Sequence, residues 1–296
     1  AMNYSGMISH PWNGDYEFLS ISTLLENKSV VIVALDRPEK RNAINAKMWK
    51  EIGSIFSRLG RYGDDCRVVV LMGHGKSFCA GIDMSDPSLL IGKSDDDTDI
   101  ARWGIGFRPK IQEMQSCFTS LEQCPVPVIA AIHGACVGAG LDLICCADIR
   151  ISSTDAMYSV REVRLGLAAD IGTLQRLPKL CGSSSQIREW IYTGDNMTAK
   201  DAVQVGLVSR LSDSVMTDAL QLACRIATMS PVAISVSKSS LTYSRDHSVP
   251  DGLEHIAILN SLALMTRDVG LSPDKNSSPT QFKGLASHSK LLDTFI

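Results

Sequence analysis

The chain has 296 residues, 45% of them apolar, and a formal charge of −3, enough to bury a large core and too weakly charged, with its basic residues scattered, to offer nucleic acid a binding field. Its longest apolar runs, VVIVAL at 30–35 and VPVIAAI at 126–132, fall far short of the roughly 20 residues a spanning helix needs, so no membrane insertion is expected.

Residues 1–17 contain neither an apolar signal core nor an Arg-rich amphipathic run and are expected to form a tail. FLSISTLL (18–25) and SVVIVALD (29–36), two β-rich runs around Glu26-Asn27-Lys28, predict a hairpin. The stretch 37–60 turns into an amphipathic helix. CRVVVLMG (66–73) reads as a strand feeding a glycine turn, GKSFCAGIDM at 75–84, and the run Asp95-Asp96-Asp97 reads as a solvated loop. A helix over 106–123 leads through Cys124-Pro125-Val126-Pro127 to the buried strand PVIAAIHG and a second glycine turn, HGACVGAGLDL at 133–143. Strand DIRISS (148–153) and helix IGTLQRLPKLCG, closed by Gly182, repeat the pattern. Thr198 and Asp201 predict a capping box, and LVSRL (207–211) a strand. Beyond a boundary near 212, Val215, Ala219, Leu222 and Ile226 recur at helical spacing, and Pro231 opens another helix. From about 269 the chain turns polar and Pro/Ser-rich, a loose tail. The tripeptide Ser289-Lys290-Leu291 is internal and therefore not a C-terminal address. The reading gives four parts: a tail (1–17), a layered α/β core (18–212), a helical region (213–268) and a second tail (269–296).

The chemistry concentrates between the glycine turns. Two such turns can converge backbone N–H groups on one oxygen, as an oxyanion hole requires. Asp142, Glu162 and Asp170 follow at strand-to-helix junctions, where side chains can reach a substrate. Each has a plainer role open to it: a carboxylate after a glycine turn often caps a helix, and Asp170 could cap one beginning near Ile171. Nine cysteines, an odd set without a CxxC or His-rich spacing, read as reduced buried thiols, with no metal site. His74 and His133 have no nucleophile motif beside them, and GACVGAG lacks the GxGxxG spacing of a dinucleotide fingerprint.

FCAGID at 78–83, residues 117–143, EVRLGLAADIGTLQRLPK at 162–179 and SPVAISVSKSSLTYSRDHSV at 230–249 together resemble the crotonase (enoyl-CoA hydratase/isomerase) superfamily, and within it the dienoyl-CoA isomerases, from about residue 18 to about 268. The resemblance implies an α/β fold, a crotonase-like spiral of repeated ββα units with a C-terminal helical trimerisation region. It implies conversion of 3,5-dienoyl-CoA to 2,4-dienoyl-CoA in β-oxidation of unsaturated fatty acids. Hydratases of the superfamily carry Gly where this chain has Asp170; the isomerase triplet is Asp, Glu, Asp. By family position Asp142, Glu162 and Asp170 are catalytic, and the N–H groups of Ile82 and Ala139 form the oxyanion hole, although Ala139 replaces the usual Gly. Ala80, Gly81, Ile82, Asp83, Met84, Ala139 and Arg41 are expected to contact the substrate, with Lys40 and Arg41 candidates for the CoA phosphates. The expected partner is an acyl-CoA thioester, with no cofactor beyond the coenzyme A of the substrate itself and a homotrimer or homohexamer as the assembly. A mitochondrial or peroxisome-type organelle is the setting the family implies. The alternatives are an enoyl-CoA hydratase and a non-catalytic binding protein on the same fold.

Overall fold

In a computed structural model describing residues 6–61, 65–89, 99–271, 282, 283 and 285, the sheet starts earlier than the sequence suggests. β1 (Met7–Ser9) pairs antiparallel with β2 (Leu19–Leu24), inside the stretch expected to be a tail. The segment is tied to the rest of the fold: Asn13 Oδ1 accepts from Ile21 N–H of β2, and the Glu51 carboxylate, from far along the chain, accepts from the N–H groups of Glu17 and Phe18. β2 then forms the expected hairpin with β3 (Val30–Leu35). β2 alternates buried and half-buried residues, whereas every residue of β3 is buried, the mark of a strand covered on both faces.

Asn45 caps α1 (Ala46–Arg58) by accepting from Met48 N–H at 2.8 Å, and Met48, Trp49, Ile52, Ile55 and Phe56 form its buried stripe. β4 (Val68–Gly73) follows, then α2 (Ile100–Gln123), whose Phe118 stacks on Trp49 with ring centroids 4.5 Å apart. The repeating unit then appears. β5 (Val128–Ile132), β6 (Ala135–Val137) and α3 (Ala139–Cys145) make one ββα unit. β7 (Ile149–Ser153), β8 (Met157–Ser159) and α4 (Thr173–Leu180) make the next. After α5 (Ser184–Thr193), β9 (Met197–Thr198), α6 (Ala199–Gln204) and β10 (Arg210–Ser212) complete the strands, with the Thr198–Asp201 capping box formed. The first strand of each unit joins a seven-stranded sheet ordered β1-β2-β3-β4-β5-β7-β10, parallel from β3 onward, and the second joins a small β6-β8-β9 sheet. This is the spiral α/β arrangement expected from the sequence. Asp95-Asp96-Asp97 and Ser289-Lys290-Leu291 lie outside the described residues.

The boundary expected near 212 falls inside a packed unit. α7 (Val215–Ala227) lays Met216, Ala219, Ala223 and Ala227 on the second face of the large sheet, against Ile32, Val70 and Ile129 among others, so the core continues past it. α8 (Pro231–Ser244) and α9 (Val249–Ala263) instead pack on each other and leave Leu241, Leu253, Ile258 and Leu262 exposed. Among the described residues no single helix is long and apolar enough to cross a membrane.

One buried cation ties α8 to this core. Lys238 Nζ donates to the carbonyls of Leu121 (3.2 Å) and Val126 (3.0 Å) and pairs with Asp148 at 2.8 Å. Asp148 Oδ2 also accepts from Val128 N–H at the start of β5. Removing the ammonium takes one donor from each of two carbonyls and the countercharge from a carboxylate. Lys238→Met is therefore expected to destabilise the fold by roughly 2–4 kcal/mol, read as a lowered urea midpoint.

Candidate active site

The two glycine turns dock against each other. Phe78 N–H donates to His133 O (2.8 Å), Cys79 N–H to Ala135 O (2.9 Å) and Val137 N–H to Cys79 O (3.0 Å), a backbone ladder that aligns residues 78–82 with 133–140. Close approach demands glycine on both sides. A Cβ on Gly140 would lie 2.8 Å from Cys79 Cβ; one on Gly81, at φ +100°, would lie 3.2 Å from Val137 O and be strained besides. Asn42, fully buried, holds the approach to the first turn: its Nδ2 donates to the carbonyls of His74 and Ser77, and its Oδ1 accepts from Arg37 N–H.

Ile82 and Ala139 consequently stand side by side in the wall of a cavity of about 630 Å³, and neither N–H donates to another described residue. The replacement of Gly by Ala at 139 carries no backbone strain. The positive φ values of this turn fall at Gly134 (+56°) and Gly138 (+52°), whereas Ala139 opens α3 in ordinary helical geometry. The rest of the cavity is largely apolar, walled by Trp49, Leu89, Phe107, Ile111, Met114 and Ile171.

The same cavity receives all three acids, each in a different environment. Asp142, in the first turn of α3, is 2% exposed, and Thr173 N–H donates to its Oδ1 at 2.7 Å. Burial above all, reinforced by the charges of Glu162 and Asp170 and opposed by the Thr173 hydrogen bond, pushes its carboxyl up to about 7. Glu162 opens the short 3-10 turn Glu162–Leu165, half-buried, its Oε2 accepting no hydrogen bond from the described residues and its Oε1 directed at Gly138. Its carboxyl is raised by burial, with Asp170 adding to the effect. Asp170 stands at the exposed rim and is raised by partial desolvation. It does not cap α4: that helix starts at Thr173, with Gly172 at the cap position and no side-chain cap. The donor at the start of α4 bonds to Asp142 instead.

The other expected substrate contacts divide. Ala80, Gly81 and Met84 line the cavity; Asp83 and Arg41 do not. Asp83 accepts from Ser85 and pairs with Arg37 at 2.9 Å, which together hold its carboxyl down to about 2, so it pins the chain just after the first glycine turn. Arg41 is exposed, in left-handed geometry (φ 51°), and reaches the turn through its carbonyl, which accepts from Ala80 N–H at 3.0 Å. The expectation for the adjacent Lys40 rests on its charge alone. Thr173, Asn42 and Gln115, whose Nε2 donates to Asp170 O at 2.6 Å, escaped sequence reasoning because nothing in their neighbouring residues points to a partner so far along the chain.

Residues 25–259 match the family model described as enoyl-CoA hydratase/isomerase. The chain is 45% identical over 258 residues to the mitochondrial Δ3,5-Δ2,4-dienoyl-CoA isomerase of Rattus norvegicus, covering 86% of this chain and 78% of that protein. Its fold is similar to that of an enoyl-CoA hydratase from Bacillus anthracis, with a TM-score of 0.78, 26% identity, and coverage of 90% of this chain and 100% of the other. It is also similar to an enoyl-CoA hydratase-type protein of Thermobifida fusca in complex with acetoacetyl-CoA, with a TM-score of 0.71, 26% identity, and coverage of 83% and 94%.

The buried Asp142 has a thermodynamic cost with a definite sign. Its folded-state pKa lies above the unfolded value, so the folded state binds the extra proton and stability falls as pH rises from about 4 to about 7. Asp142→Asn is expected to be more stable than the parent at pH 8, by at most roughly 4 kcal/mol. The gain should shrink toward zero near pH 4, as read from urea unfolding at several pH values.

Proposed function

From membership of the enoyl-CoA hydratase/isomerase family, to which this chain belongs, we propose that the site converts 3,5-dienoyl-CoA into its conjugated 2,4-dienoyl isomer, in the oxidation of unsaturated fatty acids. The observation that carries the reading is the gathering of Asp142, Glu162 and Asp170 on one apolar cavity beside two N–H groups that have no acceptor among the described residues. The reaction removes a proton from C2, spreads negative charge over a dienolate that ends on the thioester oxygen, and delivers a proton at C6. It needs a base, a separate acid and an oxyanion hole.

Glu162, with a carboxylate oxygen that no donor among the described residues occupies, takes the C2 proton. The Ile82 and Ala139 N–H groups receive the charge that develops on oxygen. Asp142, the more deeply buried acid, holds its proton near neutrality and gives it up at C6. Asp170, at the rim, keeps a second negative charge near the pair and so raises the proton affinity of both. A turnover ends with Glu162 protonated and Asp142 ionised, and proton exchange restores the starting state. The thioester enters along Ala80–Met84, with Arg41 outside the cavity available to the CoA phosphates. The bound acetoacetyl-CoA of the Thermobifida fusca protein supports an acyl-CoA ligand for this cavity, and the mitochondrial rat relative supports an organellar setting.

The exposed apolar residues of α8 and α9, with Leu264 and Met265 beyond them, supply a face for self-association. We read them as the contact surface of a homotrimer or of a hexamer of paired trimers.

Turnover is expected to fall roughly 10²–10⁴-fold in Asp142→Asn and in Glu162→Gln, the usual worth of a positioned acid or base, with the fold retained. Diene absorbance followed with 3,5-dienoyl-CoA, beside hydration of 2-enoyl-CoA, tests the assignment: hydration without isomerisation by the parent protein would overturn it. The active form needs Asp142 neutral and Glu162 ionised. Activity should therefore decline as pH rises past about 7, and removing the negative charge of Asp170 from the rim should move that limb. Asp170→Gly is expected to shift it to lower pH and slow isomerisation; an unchanged rate and pH profile would remove Asp170 from the mechanism. Light scattering should give the mass of three or six chains, and a monomer at micromolar concentration would refute the assembly.

A further inference from the structure

The Thr173 N–H on Asp142 is only as well placed as the turn that presents it. Gly172, at φ +136°, precedes it, and a Cβ there would lie 2.0 Å from an amino nitrogen of Arg176, so the guanidinium packs directly on the Gly172 backbone. That guanidinium is itself fixed. Its Nε donates to Glu122 Oε1 at 3.3 Å, and one terminal nitrogen donates to Glu122 Oε2 (3.2 Å) and to Thr119 Oγ1 (3.1 Å), with both charged side chains about nine-tenths buried. Arg245, just after α8, holds Glu122 from the other side. Gln115, Thr119 and Glu122 share one face of α2, and the first of them anchors Asp170 O. One helix face thus grips the segment from Asp170 to Arg176 at both ends.

We propose that Arg176 is a positioning residue of the active site: pinned by Glu122 and Thr119, its guanidinium braces Gly172 and thereby holds the Thr173 N–H on the Asp142 carboxylate. The inference rests on the reading of Asp142 as the proton donor. A fork is required, because an ammonium cannot bridge Glu122, Thr119 and the Gly172 backbone at once. The other ionisable groups facing Asp142 are Glu162 on its 3-10 turn, Asp170 before α4, Cys136 on β6 and Cys145 and Cys146 at the end of α3; Arg176, Glu122 and Arg245 face Cys146.

The test is a titration of the free full-length protein labelled with 13C at aspartate carboxyls, followed by NMR, in which Asp142 is the signal missing from Asp142→Asn. In the parent protein it should titrate near 7. In Arg176→Met the midpoint should move upward, because the ionised carboxylate loses its donor, and kcat should fall roughly 10- to 100-fold with KM little changed, the effect of a misplaced catalytic group. Arg176→Lys separates position from charge and should show the same upward shift and loss. Parent-like titration and turnover in Arg176→Lys would show that charge alone matters and overturn the proposal, as would an unmoved midpoint in both variants. If Arg176→Met fails to fold, Arg176→Lys and Glu122→Gln decide: an upward shift in them supports the brace and an unchanged midpoint in both refutes it. A parent protein that does not isomerise dienes would sink the functional reading, and the titration would still decide the role of Arg176.

Discussion

The site depends on how closely two backbone turns approach. Cys79 donates to Ala135 O and accepts from Val137 N–H, and the glycines at 81 and 140 let the two segments meet where a Cβ would be strained or would clash. That contact places Ile82 and Ala139 in one cavity wall, and neither N–H donates to an acceptor among the described residues. Unpaired buried donors are costly in a folded chain, and a rigid ladder on either side is what keeps them from finding partners of their own. Asn42 serves the same end from beneath, satisfying three backbone groups around the first turn with a single amide.

The three acids show how one cavity sets different protonation states. Depth orders them: Asp142 is enclosed, Glu162 half-enclosed, Asp170 at the rim. Desolvation disfavours charge most for the first, and the negative charges of the other two add to it, so the innermost carboxyl keeps its proton longest. An apolar wall of Trp49, Ile111 and Met114 therefore sets proton affinity as well as enclosing the cavity. The Thr173 hydrogen bond opposes the shift and limits it.

Around this centre the large sheet serves as a platform gripped on both faces. α1 and α2 cover one side, α7 the other, and Lys238 and Arg245 carry α8 onto α2 and β5. α2 has two tasks along its length. Phe107, Ile111 and Met114 line the cavity wall, and Gln115, Thr119 and Glu122 toward its C-terminus hold the segment that carries Asp170 and Thr173. The helices expected to mediate assembly are thus joined through buried ion pairs to the elements that place the acids.

Local pattern made much of this legible from the sequence. The hairpin, the all-buried strands, the Thr198–Asp201 capping box and the two glycine turns each follow from forces acting within a few residues, and the spacing of the acids after the turns, with the family resemblance, marked Asp142, Glu162 and Asp170 as a set. The tertiary structure alone decided the rest. It made Met7–Ser9 a strand, gave α7 to the core, and left Asp83 and Arg41 outside the cavity. It also set Thr173 rather than Asp170 at the start of α4, bonded to an acid 31 positions earlier. Burial and hydrogen-bond partnership between distant segments are properties of the packed chain, and no local period encodes them; the order of proton affinities among three like residues is therefore fixed only when the fold has excluded water unequally from each.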